Sequence, residues 1–135
     1  MEFFMNMVPP TVTAQMKKAH IVKGRVFYYE PKNVAAAREL LSVELIKHRP
    51  EKEMEGPLAL YVEWRFPKGK SHKEGEWRMT RPDTDNIEKM LKDCMTHCGF
   101  WKDDAQVAVE HVEKKWSDDP TGILIRITEL EDENE

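Results

Sequence analysis

Between Asp85 and Gly99 the apolar residues Ile87, Met90, Leu91, Cys94, Met95 and Cys98 recur at i, i+3, i+4, i+7, i+8 and i+11. This is the spacing of a helix with one buried face, and Gly99 directly after it is a natural stop. Such a helix must find an apolar surface, and strands with one apolar face lie on both sides of it. Leu58, Leu60, Val62, Trp64 and Phe66 alternate with Ala59, Tyr61, Glu63 and Arg65, the period-two pattern of a strand. Residues 106–116 are rich in valine, 117–122 form a turn, and Ile123, Ile125 and Ile127 alternate along a returning strand over 122–130. Upstream, residues 2–8 and 25–29 read as short strands. Residues 34–48 read as a helix burying Val34, Ala37, Leu41 and Leu45, with Asn33 as its N-cap. Strands bracket two helices without regular βαβ alternation. The expected class is α+β, a mixed or largely antiparallel sheet packed against two main helices.

A chain of 135 residues can bury one core without disulfides or structural metal, so one domain is expected over residues 1–130, followed by an acidic tail over 131–135. With 40% apolar and 34% charged residues, no apolar run is long enough to span a bilayer. The apolar stretch Met1–Val8 carries Glu2 and lacks a basic leader, so it reads as a strand and not a signal peptide. A cytoplasmic protein without a membrane partner is expected. Cys94 and Cys98 fall on the buried helical face, and His97 lies off it, so two reduced thiols are expected and not a zinc site.

The chemistry concentrates in two acidic clusters, Asp83-Thr84-Asp85 at the start of the second helix and Asp103-Asp104 beyond its end. Gathered carboxylates repel one another, so a fold that collects them supplies a cation or raises a pKa. Asp85 has a competing role, because Asp85-Asn86-Ile87-Glu88 is a capping box. Asp83, two residues before that cap, has none. In an extended segment the two would project to the same side. Lys89 lies in Asp85's direction on the helix, either to meet a phosphate or simply to pair with Asp85 at i+4. A helix of this length is about 20 Å long, so its two ends share a metal only if the chain returns. The net charge of −4 hides a basic loop, Lys68, Lys70, Lys73, Arg78 and Arg81, and a second basic group, Lys17, Lys18, Lys23 and Arg25. Both could follow a phosphate backbone or be solvated surface.

Asp83-x-Asp85-Asn86-x-x-Lys89, a spacer, and Gly99-Phe100-Trp101-x-Asp103-Asp104-Ala105-Gln106-Val107 together resemble the RusA family of Holliday junction resolvases, small endonucleases of bacteria and their prophages. Val8-Pro9-Pro10-Thr11 also resembles the segment after that family's first strand, whereas the residues from Val12 to Lys18 depart from it. The resemblance implies that Asp83, Asp85 and Asp104 are metal ligands and, with Lys89, the catalytic residues. It implies Mg²⁺, with Mn²⁺ as a substitute, and a Trp101–Asp104 loop that returns to the start of the helix. It further implies a homodimer that makes paired nicks in four-way DNA junctions during recombination and repair. Lys70, Lys73, Arg78, Arg81 and Trp101 are then the expected DNA contacts, Trp101 by stacking on an unpaired base. Two other readings stay open at this point: a nuclease for flaps or forks, and a non-catalytic nucleic-acid-binding domain.

Overall fold

In the computed structural model, residues 1–13 and 18–131 are described, with the backbone alone for 18–20 and 27–29. Lys17 and the tail residues Asp132, Glu133 and Glu135 lie outside the described residues. The elements follow as β1 (Glu2–Met5), β2 (Lys18–Val22), β3 (Arg25–Tyr29), α1 (Lys32–Ile46), β4 (Leu58–Phe66), α2 (Thr84–His97), a 3₁₀ turn (Asp104–Gln106), β5 (Val107–Trp116) and β6 (Gly122–Glu129). The main sheet has the order β1-β6-β4-β5, and β2 and β3 form a separate antiparallel hairpin. In the main sheet β6 pairs antiparallel with both β1 and β4, while β4 and β5 run parallel. The α+β class with a mixed sheet is therefore observed.

The parallel pair qualifies the expected lack of βαβ units. Parallel neighbours need a long crossover, and α2 with its flanking segments supplies it between β4 and β5. The even positions of β4, Ile123, Ile125 and Ile127 of β6, and the stripe of α2 meet Val34, Ala37, Leu41 and Leu45 of α1 in one core. All six stripe residues of α2 are buried, as their spacing requires. Gly99 ends the helix at φ +85°, and Phe100 N–H reaches back to Met95 O at 3.1 Å. Cys94 and Cys98 are free and buried, their thiols facing Arg38 O and Ser42 O at 3.8 Å. No helix among the described residues is long and apolar enough to cross a membrane.

Both expected N-caps are displaced. Helix α1 begins at Lys32 behind Pro31, so Asn33 lies within its first turn. Helix α2 begins at Thr84, which puts Asp83 in the cap position and Asp85 inside the first turn. The first strand ends at Met5 and not at Val8, because the chain leaves the edge of β6 where their pairing stops at Met5 and Ile123.

Candidate active site

Asp83 is the last extended residue before α2, with φ −71° and ψ 148°, and its carbonyl accepts the Ile87 N–H at 3.1 Å. Its carboxylate makes no cap hydrogen bond. Asp85 follows in the first turn, and both side chains are exposed. The shared projection expected of an extended segment is therefore replaced by a corner, one carboxylate before the helix and one on it. Unpaired N–H groups and the positive end of the helix dipole favour negative charge there. Lys89, one turn further on, is exposed, and among the described residues it forms no ion pair with Asp85. The simple i,i+4 pair is thus not made.

The capping box assigned to Asp85 and Glu88 does not form, because Glu88 points inward. It is 1% exposed and accepts the Trp64 Nε1–H at 2.8 Å. Burial, followed by the nearby Glu110 carboxylate, raises its carboxyl to about 9, so it holds a proton at neutral pH. Its Oε2 has no hydrogen-bond partner at ordinary geometry. On the same side Lys92 pairs with Glu110 at 2.8 Å. Glu88 adjoins the apolar stripe beside Ile87 and three residues before Leu91. That position was the one signal in the sequence that it could face the sheet.

A capping box does exist, at the second acidic cluster. Asp103 accepts from Ala105 N–H at 2.9 Å, and the Gln106 side chain takes the Asp103 N–H at 3.1 Å. Gln106 also donates to Met54 O and Gly56 O, both at 3.0 Å, tying the loop to the start of β4. Asp103 therefore shapes the turn, and half-exposed Asp104 is left free of that duty.

The two clusters stay apart within one chain. Helix α2 has 14 residues, and at about 1.5 Å per residue its ends are about 21 Å apart. Trp101 donates to Thr96 Oγ1 at 2.7 Å and Val107 pairs with Leu58, so the Trp101–Asp104 loop remains at the C-terminal end of α2. What returns to the helix start is the far end of β5. Lys114 Nζ donates to Thr80 O at 2.8 Å and to Pro82 O at 2.6 Å. From Val107 to Lys114 the strand covers about 23 Å, matching the helix it runs beneath. The return implied for the loop is thus corrected: the strand comes back, Asp104 does not. Among the described residues no group of three or more His, Cys, Asp or Glu side chains could hold a metal ion. The hard oxygen donors suit Mg²⁺ or Mn²⁺, but of the three expected ligands the fold keeps Asp83 and Asp85 at one end of α2 and Asp104 at the other.

Lys114 is a residue that sequence reading missed. Partial burial and repulsion from Arg78 lower its pKa, opposed by Asp83, and it clamps the segment that ends at Asp83. Nothing local marks it, since it is one lysine in a charged strand.

The expected DNA contacts divide. Lys70, Lys73 and Arg81 are exposed. Arg78 lies over Phe66 and Trp116, at 4.2 and 4.4 Å from their ring centroids, and donates to Arg81 O. Desolvation lowers its pKa, and its Nε is buried without a partner. Arg78 thus fastens the 67–81 loop to the sheet, with help from the bridge between Trp77 and Lys115. Trp101 is 0% exposed, so it offers no face to a base, and the stacking expected of it is overturned. It packs beneath the loop, as Phe100 does.

Residues 8–128 match the model of the family described as Endodeoxyribonuclease RusA. A Lactococcus phage r1t protein named crossover junction endodeoxyribonuclease rusA is 32% identical over 131 residues, covering 96% of both chains. The uncharacterized protein YqaN of Bacillus subtilis (strain 168) is 28% identical over 121 residues, covering 81% of this chain and 84% of its own.

Proposed function

Because this chain belongs to the RusA family of endodeoxyribonucleases, we propose that it resolves four-way DNA junctions in recombination and repair, with Mg²⁺ or Mn²⁺ held by carboxylates at the start of α2. The observation that carries this reading is the pair Asp83 and Asp85, exposed at the positive end of α2 with Lys89 exposed one turn on. Neither carboxylate is consumed by a helix cap.

Hydrolysis of a backbone phosphodiester forms a bond from water oxygen to phosphorus and breaks the bond to the 3′ oxygen, leaving 5′-phosphate and 3′-hydroxyl ends. Asp83 and Asp85 would hold the Mg²⁺, which when bound would lower the pKa of a water and neutralise phosphate charge. Lys89 offers its ammonium to a phosphate oxygen, where it counts most as negative charge builds up in the transition state. Lys114 holds the Thr80–Pro82 backbone and so sets where Asp83 stands. Lys70, Lys73 and Arg81 line the approach with positive charge, which favours backbone contact over base reading. Arg78 serves that surface by fastening its loop.

Asp104 enters the same site only from a second copy, since in its own chain it lies beyond the far end of α2, a helix about 21 Å long. We therefore assign a homodimer with two composite sites, each taking Asp83, Asp85 and Lys89 from one copy and Asp104 from the other. Two sites related by a two-fold axis suit two symmetric nicks.

The test is complementation on a mobile four-way junction. Asp85→Asn and Asp104→Asn should each bind the junction and fail to cut it with Mg²⁺. Mixed and allowed to exchange subunits, they should regain nicking, because one site of every mixed dimer has both native carboxylates. No activity on mixing would overturn the composite site, and normal cutting by Asp85→Asn alone would overturn the assignment of the acidic pair.

A further inference from the structure

We infer that the β2–β3 hairpin is a separate DNA-gripping arm, seated in the major groove of the duplex beside the cut, an inference that rests on the activity proposed above and adds a binding surface to it. Between Glu2 and Glu30 the chain has no acidic residue, yet this stretch carries Lys17, Lys18, Lys23 and Arg25 in a protein of net charge −4. Lys23 and Arg25 fall at the tip of the hairpin. Among the described residues β2 and β3 pair only with each other, so the hairpin stands outside the main sheet. Its turn is Lys23-Gly24, at φ +51° and +76°, the two left-handed residues that close a tight hairpin without splaying its strands. Residues 21–26 are all exposed. Ile21 and Val26 are partners across the strands and are 71% and 54% exposed, an apolar pair held in water beside two cations.

The hairpin springs from the end of the molecule that holds Asp83 and Asp85. Helices α1 and α2 run the same way, because Cys94 Sγ faces Arg38 O and Cys98 Sγ faces Ser42 O, each pair 56 residues apart in sequence. Their C-terminal ends also meet, where Arg49 lies beside Gly99. With the same rise per residue in both helices, Lys32 at the start of α1 comes level with Glu88, less than one turn from Asp85. The root of the hairpin is fastened there. Glu30 accepts from Arg38 Nε at 2.6 Å, and Arg38 also faces Asp93 at 3.7 Å. Five residues in each strand put the tip up to about 17 Å from this root, within reach of a duplex arm whose phosphate lies at the acidic pair.

A two-stranded ribbon fits the major groove, roughly 12 Å wide, and not the narrower minor groove. Seated there, Lys23 and Arg25 meet phosphates on the groove walls, while Ile21 and Val26 lie against base edges, where a thymine methyl is an apolar partner. Other occupants fit less well. A second hairpin brought up by two-fold symmetry would set the same cations against one another. The acidic residues near the C-terminus start from the wrong end, since Glu129 closes β6 opposite Leu58, whose other neighbour is Val107 at the Asp104 end of the sheet.

The test compares the parent with a Lys23→Asn, Arg25→Gln variant on a four-way junction without Mg²⁺, so that binding is scored apart from cutting. Asparagine tolerates the left-handed region, which keeps the turn. The variant should match the parent in melting temperature and sedimentation, bind the junction roughly tenfold more weakly, and lose about 0.9 of salt slope for each cation removed. Guanine N7 opens into the major groove, so in the duplex beside the cut it should be protected from dimethyl sulfate by the parent and not by the variant. Ile21→Thr with Val26→Thr, which suits the strands, should weaken binding several-fold at an unchanged slope. An undiminished slope in the first variant, equal N7 protection by both proteins, or full-strength binding by the threonine variant would overturn the inference. So would a variant that loses binding by falling apart into monomers, because the hairpin would then join copies. A parent that cuts the junction while the first variant binds just as tightly rejects the arm and leaves the activity standing; a parent that neither binds nor cuts removes both.

Discussion

Replacing Glu88 by glutamine is expected to stabilise the protein increasingly as pH rises from 5 to 9. The ordinary glutamate value is 4.5, and burial with Glu110 alongside raises the folded carboxyl to about 9. Below the lower value both folded and unfolded chains are protonated, so the group contributes no pH dependence. Between the two values the unfolded chain releases a proton that the folded chain keeps, and stability falls as pH rises. Each pH unit is worth about 1.4 kcal/mol, so by pH 7 the penalty reaches about 3 kcal/mol. That is a ceiling, because the titration is shared with Glu110 and its partner Lys92. Glutamine keeps an oxygen for the Trp64 Nε1–H and has an N–H for Glu110, without a charge to lose. Urea unfolding followed by tryptophan fluorescence at pH 5, 7 and 9 measures the difference. The parent should weaken across the series and Glu88→Gln should be nearly flat, the curves separating by up to about 3 kcal/mol at pH 7 and further at pH 9. Parallel slopes would refute the reasoning, since they would mean that Glu88 ionises as easily folded as unfolded.

Other expectations concern DNA, positioning and packing. Lys70→Ala with Lys73→Ala should weaken junction binding and reduce the salt slope by about 0.9 for each phosphate no longer neutralised, measured by titration at several salt concentrations; an unchanged slope would remove these lysines from the DNA surface. Arg78→Ala should instead lower the melting temperature by exposing Phe66 and Trp116, even in the absence of DNA. Lys114→Met should cut nicking at least tenfold while leaving the junction dissociation constant nearly unchanged, because it loosens the segment before Asp83; equal losses in binding and cutting would reject a positioning role. Gly122→Ala should cost about 1–3 kcal/mol in urea unfolding, since an added Cβ would stand 2.3 Å from Met5 O and 2.5 Å from the Phe4 ring, and φ there is +155°.

What the sequence determined by itself was whatever a local period or a fixed spacing encodes. The stripe from Ile87 to Cys98, the alternation from Leu58 to Phe66 and the isoleucines of β6 each report burial directly, because one wet face repeats every 3.6 or two residues. Family membership was legible for a related reason, since two short motifs kept their order and distance. Tertiary structure decided everything that depends on how elements meet. It turned Glu88 from a cap into a buried proton carrier under Trp64, sealed Trp101 beneath the loop and pinned Arg78 to two rings. Above all it showed that the parallel crossover carries β5 back to the start of α2 while leaving Asp104 at the other end. Sequence distance fixes how far a chain can reach but not in which direction it turns, and here the direction separates the carboxylates that one site would need.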